Sequence, residues 1–395
     1  MKLLESVSFG HTSWPLVIIA ALLLAIGLSF VYSASFSPEF DADGDGGMIG
    51  EKLGSTFHKQ LIWSAAGLCV FLVIICVDYR RIVERGYAIY AAGIVLLILT
   101  MIPPVGRIIN NSRRWIGYGP IFLQTSEFMK IAVIVMLARY LPGSENRQRA
   151  WGLLLPLLVV LVPMVMIAKQ PDLGTALLFL PLAAGLVYVA GARARHLIAL
   201  GLVGVLSLPL LWLVMKPYQR ERVSSFIQQD TADRRLLMDD LYHLTQSKAA
   251  IGSGGVLGKG WGKGTQNRLD FLPMRNTDFI FAVICEEWGF IRAAGVILLY
   301  FLLFWSCMRV ADETRDPPAR LLVVGVTVLL ATQMLVNTGM SAGQLPTVGL
   351  PLPFISYGGS SLLTSFAALG LVVNVSMRPQ IVLGREEFGD ESGAG

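Results

Sequence analysis

Asp278 closes the run Met274-Arg275-Asn276-Thr277-Asp278, and directly behind it the chain turns apolar through Phe279-Ile280-Phe281-Ala282-Val283-Ile284-Cys285. A carboxylate at the lip of an apolar helix is half out of water and carries a desolvation cost, which makes it the first candidate for a general base. The competing reading is an N-cap, because Asp is favoured there and its side chain would satisfy free amides at the helix start. One residue can do both. Glu286 and Glu287 lie about 12 Å further along that helix at 1.5 Å per residue, too far to pair with Asp278, and are expected to hydrogen-bond within the protein.

A second constellation lies in Gln124-Thr125-Ser126-Glu127-Phe128-Met129-Lys130, where Glu127 and Lys130 are three apart and share a helix face. They form either an internally neutralised ion pair or the lining of a cavity shared with Asp172 of Gln170-Pro171-Asp172-Leu173-Gly174-Thr175. Asp172 could equally cap the helix that follows it. In Arg113-Arg114-Trp115, Arg114 suits a phosphate and Trp115 a sugar face, although an interfacial anchor would look the same. Arg220 and Arg222, in Gln219-Arg220-Glu221-Arg222, are further cations for a phosphate.

The glycine-dense segment from Gly252 to Thr265 invites a nucleotide-binding reading that its spacing refuses. Each Gly-Lys pair is followed by Gly and never by Ser or Thr, and the third position of a GxGxxG is Leu257. What remains is backbone permissive enough to lie against a bulky ligand, with Lys259 and Lys263 available for phosphate.

These residues must be positioned by a membrane protein. Hydrophobic residues make up 54% of the 395 and charged residues 15%, with a mean hydropathy of +0.62, which leaves too little polar surface to cover a soluble globule. Apolar runs near 15–34, 60–77, 87–104, 126–141, 152–168, 173–191, 196–215, 279–308, 320–340 and 353–377 predict about ten transmembrane helices of roughly 20 residues each. The fold class expected is therefore all-α, a polytopic membrane helix bundle with a single domain over 1–380 and a disordered tail over 381–395. Arginines in the short loops (Arg80, Arg81, Arg85, Arg147, Arg149, Arg193, Arg195, Arg309, Arg315, Arg320, Arg378) put those loops and both termini in the cytoplasm. The acidic first loop and a large loop over 216–278, between helices 7 and 8, then face outward, and the first part of that loop should hold short interfacial helices. The first apolar run reads as a retained helix.

The net charge of +5 is what positive-inside loops produce and gives no argument for nucleic acid. All four cysteines lie in predicted helices and the four histidines are scattered, so neither a disulfide framework nor a metal motif is expected.

Taken together, Gln246-Ser247-Lys248-Ala249-Ala250-Ile251-Gly252-Ser253-Gly254-Gly255, Gly258-Lys259-Gly260-Trp261, Gly264-Thr265-Gln266, Phe271-Leu272-Pro273 and Thr277-Asp278-Phe279-Ile280-Phe281-Ala282 resemble the SEDS family (shape, elongation, division and sporulation). So do Ser126-Glu127, Lys169-Gln170-Pro171-Asp172-Leu173-Gly174-Thr175 and Pro351-Leu352-Pro353-Phe354-Ile355-Ser356-Tyr357-Gly358-Gly359-Ser360-Ser361, in order from about residue 15 to 380. Gly-Lys-Gly-Trp, Gly-Thr-Gln and Gly-Leu-Pro-Leu-Pro-Phe lean to the elongation branch over the division branch. Asn276, Thr125 and the stretch Thr338 to Gln344 depart from the family pattern and leave the charged set intact.

The resemblance implies a peptidoglycan glycosyltransferase that polymerises lipid II on the outer face of the bacterial cytoplasmic (inner) membrane, with a class B penicillin-binding protein as transpeptidase partner. It places the catalytic aspartate at Asp278, the cavity pair at Glu127 and Lys130, the arginine-tryptophan pair at Arg114 and Trp115, and a further aspartate at Asp172. Joining sugars from an undecaprenyl-diphosphate-linked glycan needs a base for the acceptor 4-hydroxyl and cations for the departing diphosphate. No cofactor is certain, and a divalent cation, Mg²⁺ or Mn²⁺, would be compatible with that diphosphate. One carboxylate without a paired partner favours a single inverting displacement. A lipid II flippase and a non-catalytic scaffold of the elongation machinery are the alternatives. The small residues Gly295, Gly325 and Gly339, with Ala293, Ala294 and Ala331, mark an expected docking face for a partner's membrane helix, or packing inside the bundle.

Overall fold

The computed structural model describes residues 13–378 apart from 36–45, 104, 110–111, 119–120, 145–149, 207–208, 210–211, 213–214, 216, 228–238, 270 and 273. The acidic first loop and the tail from 381 lie outside the described residues. In chain order the helices are α1 Ser13–Ser35, α2 Gly46–Cys76, α3 Tyr79–Glu84, α4 Gly86–Met101, α5 Thr125–Tyr140, α6 Leu154–Lys169, α7 Leu173–Val189, α8 Ala194–Leu206, α9 Pro217–Ile227, α10 Asp239–Gly254, α11 Thr265–Arg268, α12 Ile280–Glu313, α13 Pro317–Ser341 and α14 Gly359–Met377. Each apolar run of the sequence overlaps one of these helices, and among the described residues α1, α2, α12, α13 and α14 contain stretches long and apolar enough to cross a membrane. The protein is an all-α polytopic membrane protein; α9 is a short helix in the first part of the large loop, where such helices are expected, while α10 starts at the end of that part and runs into the glycine-dense segment.

The bundle is built around α5. Its residues Met129 and Ala132 to Ala138 are all buried, and α4, α7, α13 and α14 pack round it. A stretch apolar on every side, as Ala132 to Ala138 is, has no solvent face to present and so becomes the centre. Polar side chains fasten the end of the bundle opposite Asp278. Tyr79 Oη donates to Asp316 at 2.9 Å, and Arg378 lies 3.7 Å from Asp78 and donates to the Ile75 carbonyl at 3.0 Å.

Two features depart from a plain bundle. The first is a small antiparallel sheet between α4 and α5, ordered β1 Gly106–Ile109, β2 Ser112–Tyr118, β3 Ile121–Gln124. Trp115 pairs with Arg107 on one side and Gln124 on the other. The Gln124 amide donates to Ser360 Oγ at 2.9 Å, which docks the sheet on the start of α14. The hydropathy pattern, tuned to long apolar runs, passes over strands this short; the turn-type dipeptides Asn110-Asn111 and Gly119-Pro120 were the available signal.

The second is a break in α12 at Gly289, whose φ of 75° lies in the left-handed region. A break frees backbone groups, and in a membrane protein these must find partners inside the fold. The glycine-dense segment supplies them. Lys259 and Gly260 amides donate to the Glu286 and Glu287 carbonyls at 3.0 and 2.9 Å, and Phe290 and Ile291 amides donate to Gly255 and Val256 at 2.9 and 3.3 Å. A Cβ on Gly258 would stand 2.3 Å from the Glu287 carbonyl oxygen, and Gly258 also has φ of 83°. The permissive backbone inferred from the sequence thus packs against α12 at Gly254 and Gly258.

Candidate active site

Asp278 is held by its main chain. Met274 sits in the left-handed region at φ 53°, a conformation that a non-glycine residue keeps only where its surroundings enforce it. Its carbonyl accepts the amides of Thr277, Asp278 and Phe279 at 3.0, 3.1 and 3.4 Å. Asn337 of α13 donates through Nδ2 to the Asp278 carbonyl at 2.9 Å and to the Leu350 carbonyl at 2.7 Å. Ser356 Oγ donates to the Thr277 carbonyl at 2.6 Å and accepts the Leu352 amide at 2.8 Å, while the Tyr357 amide donates to the Asn276 carbonyl at 2.8 Å. Tyr300 Oη donates to the Pro353 carbonyl from the far wall. The cap position of α12 is taken by Phe279, without a side-chain cap, so the simple reading of Asp278 as that cap does not hold. Asp278 is half-buried, and its Oδ2 lies 3.4 Å from where a Cβ on Gly349 would stand, so Gly349 leaves it room.

The second carboxylate is built differently. Asp172 is buried, and both of its oxygens are engaged: Oδ1 accepts the Thr175 amide at 3.2 Å and so caps α7, while Oδ2 accepts from Gln124 Nε2 at 2.8 Å and Ser126 Oγ at 3.4 Å. Arg114 Nη1 stands 3.4 Å from that same Oδ2, and Arg114 Nε donates to Ser112 Oγ at 2.7 Å. The sheet therefore carries Arg114 and half-buried Trp115 to the start of α7. Beside this group, on α5, Lys130 Nζ donates to Glu127 Oε1 at 2.7 Å with both side chains out of water, and Glu127 Oε2 has no partner.

The two constellations are neighbours through one loop. A Cβ on Gly349 would meet Asp278, and a Cβ on Gly174, two residues past Asp172, would stand 2.2 Å from the Val348 carbonyl oxygen. Residues 348 and 349 thus separate the catalytic candidate from the Asp172 group.

The remaining sequence candidates fall elsewhere. Lys259 is engaged within the fold: its ammonium donates to Glu286 Oε1 and to Thr265 Oγ1, both at 2.7 Å. Glu286 Oε1 also accepts from Thr265 Oγ1 at 3.1 Å and the Gln266 amide at 3.0 Å, and Glu287 accepts from Ser33 Oγ and the Gly262 amide at 2.8 Å. Both glutamates are internal, as expected. Lys263 is exposed on the same segment. Arg220 lies on α9 with its guanidinium 6.0 Å from the Trp212 ring centroid, and the side chain of Arg222 is outside the described residues. Sequence reasoning did not single out Asn337, Ser356 or Lys248, whose Cε lies 2.0 Å from where a Cβ on Gly343 would stand. The motif Pro351 to Ser361 was visible, yet its task of bracing the Asp278 loop was not. Among the described residues no three His, Cys, Asp or Glu side chains converge to hold a metal ion.

The expected docking face is half corrected. A Cβ on Gly325 would meet Ile134 at 2.8 Å and Leu186 at 3.1 Å, and one on Gly339 would meet Leu345 at 2.9 Å, so both glycines serve internal packing. Gly295 has open space, flanked on α12 by exposed Ile291, Leu298 and Leu302.

A family profile described as a cell cycle protein, covering FtsW, RodA and SpoVE, matches residues 13–381. The chain is 36% identical to the stage V sporulation protein E of Bacillus subtilis over 91% of its own length and 96% of that protein's. It is 36% identical to the peptidoglycan glycosyltransferase MrdB of Escherichia coli, over 92% of this chain and 93% of the other, and 31% identical to the peptidoglycan glycosyltransferase RodA of Treponema pallidum, over 90% and 95%. Among solved structures, a chain of a peptidoglycan synthase complex that coordinates polymerization and crosslinking superposes with a TM-score of 0.76 at 32% identity, covering 92% of this chain and 97% of that one. The rod shape determining protein RodA of Thermus thermophilus superposes at 0.67 with 31% identity over 93% and 97%.

Proposed function

We propose, from the premise that this chain belongs to the FtsW/RodA/SpoVE family and is a multi-pass membrane peptidoglycan glycosyltransferase, that it polymerises lipid II on the outer face of the bacterial inner membrane during elongation, with Asp278 as general base. The observation that supports this most is the mounting of Asp278: its main chain is fixed by Met274 and Asn337 while the residue stands half-buried beside a glycine. A base needs that combination, because it must be held in place and still be reached by the substrate hydroxyl.

In this reading the 4-hydroxyl of the acceptor sugar attacks the anomeric carbon of the growing glycan. The bond from that carbon to the diphosphate breaks, undecaprenyl diphosphate leaves with the electron pair, and the hydroxyl proton passes to Asp278. One carboxylate and one displacement give inversion. Arg114, 26% exposed at its side chain although paired with Asp172, is the cation best placed to turn towards a diphosphate. Glu127 and Lys130 follow Ser126, which donates to Asp172, and Trp115 follows Arg114 in β2. Mg²⁺ or Mn²⁺, if bound, would supply positive charge for the departing diphosphate; among the described residues no three His, Cys, Asp or Glu side chains would hold it by themselves. The partner is a class B penicillin-binding protein, in line with the synthase complex that the fold matches.

The test is purified protein in lipid vesicles given labelled lipid II. Glycan polymer from the wild type, lost in a folded Asp278→Asn protein, supports the assignment. Flipped lipid without polymer would favour the transporter, and neither product the scaffold.

A further inference from the structure

Gln60 lies within the membrane-crossing stretch Thr56–Cys76 of α2 and is fully buried. Its Nε2 donates to the Ser356 carbonyl at 3.3 Å, while its buried Oε1 has no partner. An amide taken out of water and satisfied at one end only costs free energy, and a methionine of similar length would spare that cost. A polar side chain kept inside a membrane protein at a loss to stability points to a task.

The carbonyl that Gln60 holds belongs to the peptide unit joining Ser356 to Tyr357. The N–H at the other end of that unit donates to the Asn276 carbonyl at 2.8 Å, two residues before Asp278. A peptide unit is planar, so its C=O and N–H turn together. A donor on the carbonyl therefore fixes the direction of the N–H, and by polarising the unit it strengthens the bond at the far end. Ser356 Oγ ties the same two segments a second time, at the Thr277 carbonyl. Packing constrains the residues around this peptide. Phe354 is buried in the left-handed region at φ 65°, and a Cβ on Gly27 of α1 would stand 2.6 Å from Ile355 Cα. The ring of Trp63, three residues after Gln60, fills the space in front of Gly359.

We infer that Gln60 is a positioning residue for Asp278: it orients the Ser356–Tyr357 peptide, which in turn holds the turn from Asn276 to Asp278. The inference rests on Asp278 as the general base and adds a residue that acts on that base through another segment. It couples α2 to the reaction, since α2 cannot shift against the loop without turning the peptide that Asn276 leans on. A packing role and a positioning role differ in what a nearly isosteric apolar replacement does. Packing predicts a loss of stability, whereas positioning predicts a loss of turnover with stability kept.

Gln60→Met keeps the length of the side chain and removes its donor. Polymerisation of labelled lipid II in vesicles gives kcat and KM, and thermal unfolding of the same samples gives Tm. Expected is a fall in kcat of roughly tenfold to a hundredfold, the scale set by a displaced catalytic group, with KM within about twofold and Tm unchanged or raised. The control is Ser64→Ala, one turn further along α2, which removes the bond from Ser64 Oγ to the Gln60 carbonyl and should keep the wild-type kcat. An unchanged kcat in Gln60→Met, a change confined to KM, a kcat that falls only in step with Tm, or an equal fall in Ser64→Ala overturns the inference. Hydrogen exchange over Met274 to Phe279 reads the position of the turn independently of activity. The Thr277 and Asp278 amides should exchange faster in Gln60→Met than in Ser64→Ala, and equal exchange overturns the inference. If the wild type makes no polymer, or Asp278→Asn still makes it, the reading of Asp278 as base fails, while the exchange measurement still decides whether Gln60 holds the turn.

Discussion

Asp172 and Asp278 stand at the starts of two helices a few residues of loop apart, and they are held in opposite ways. Asp172 is fixed through its carboxylate: one oxygen caps α7, the other collects Gln124, Ser126 and Arg114. Asp278 is fixed through its peptide groups, by the Met274 carbonyl, Asn337 and the neighbouring bonds of Ser356 and Tyr357, and is half-buried. A carboxylate immersed in donors is a joint, because every proton it could take up would cost an existing bond. One whose main chain is held by its neighbours, and which is only half-buried, is placed where a substrate hydroxyl can reach it. The same sequence feature, an acid before an apolar helix, therefore divides into an architectural and a chemical use only once the partners are known.

Substituting both aspartates in the same way tests that contrast most strongly. Asp278→Asn should lower glycan polymerisation by roughly 10²–10⁴-fold with the protein still monodisperse, the range expected for loss of a positioned base. Asp172→Asn keeps an oxygen for the Thr175 amide and leaves Arg114 partly in water, so a much smaller loss is expected. Comparable losses in two folded variants, measured by gel analysis of polymer, would break the comparison.

The buried ion pairs sharpen it. Glu127 and Lys130 depend on each other, whereas Glu286 Oε1 is served by Lys259, Thr265 and the Gln266 amide; each glutamate leaves its Oε2 unpartnered. Removing one charge from the first pair strands the other, at a cost of about 3–5 kcal/mol. The double variant Glu127→Gln with Lys130→Met should recover about 0.5–3 kcal/mol of the summed losses in a thermal-unfolding cycle. Strict additivity would show that the two charges do not interact.

A smaller effect is expected from the support behind Asp278. Asn337→Leu removes the donor shared by two carbonyls, costing about 1–3 kcal/mol for buried acceptors left unsatisfied. Its signature is a fall in kcat with KM little changed, because the base moves while the binding surfaces stay. A change confined to KM would assign Asn337 to substrate binding instead.

How much of this was legible in the sequence follows from where each signal resides. Apolar runs announce helices because lipid leaves the backbone no other way to pair, so the bundle could be read directly. Glu127 and Lys130 could be paired because helical spacing is local. The glycine segment could not be read, since its purpose is a break in a helix some 30 residues later, and nothing near Gly258 signals Gly289. The support of Asp278 by Asn337 and Ser356 joins residues 59 and 79 positions distant, a contact no periodicity encodes. The sheet bearing Arg114 was hidden by its brevity.

The last and smallest effect separates a surface glycine from internal ones. Gly325 and Gly339 pack against Ile134, Leu186 and Leu345 and are committed to the bundle, but Gly295 looks outward from α12 between Ile291 and Leu298 with space in front of it. A small residue on an otherwise bulky lipid-facing stripe lets a foreign helix approach closely, which in a bilayer is the main source of association energy. Gly295→Leu should therefore leave basal polymerisation unchanged while weakening co-purification with the transpeptidase partner several-fold, about 1 kcal/mol. A Cβ at this position meets nothing within 4 Å, so a drop in basal activity that matches the loss of partner binding would count against the docking assignment. If the complex survives leucine at this position, the partner helix docks on another face, and the stripe on α12 belongs to lipid alone.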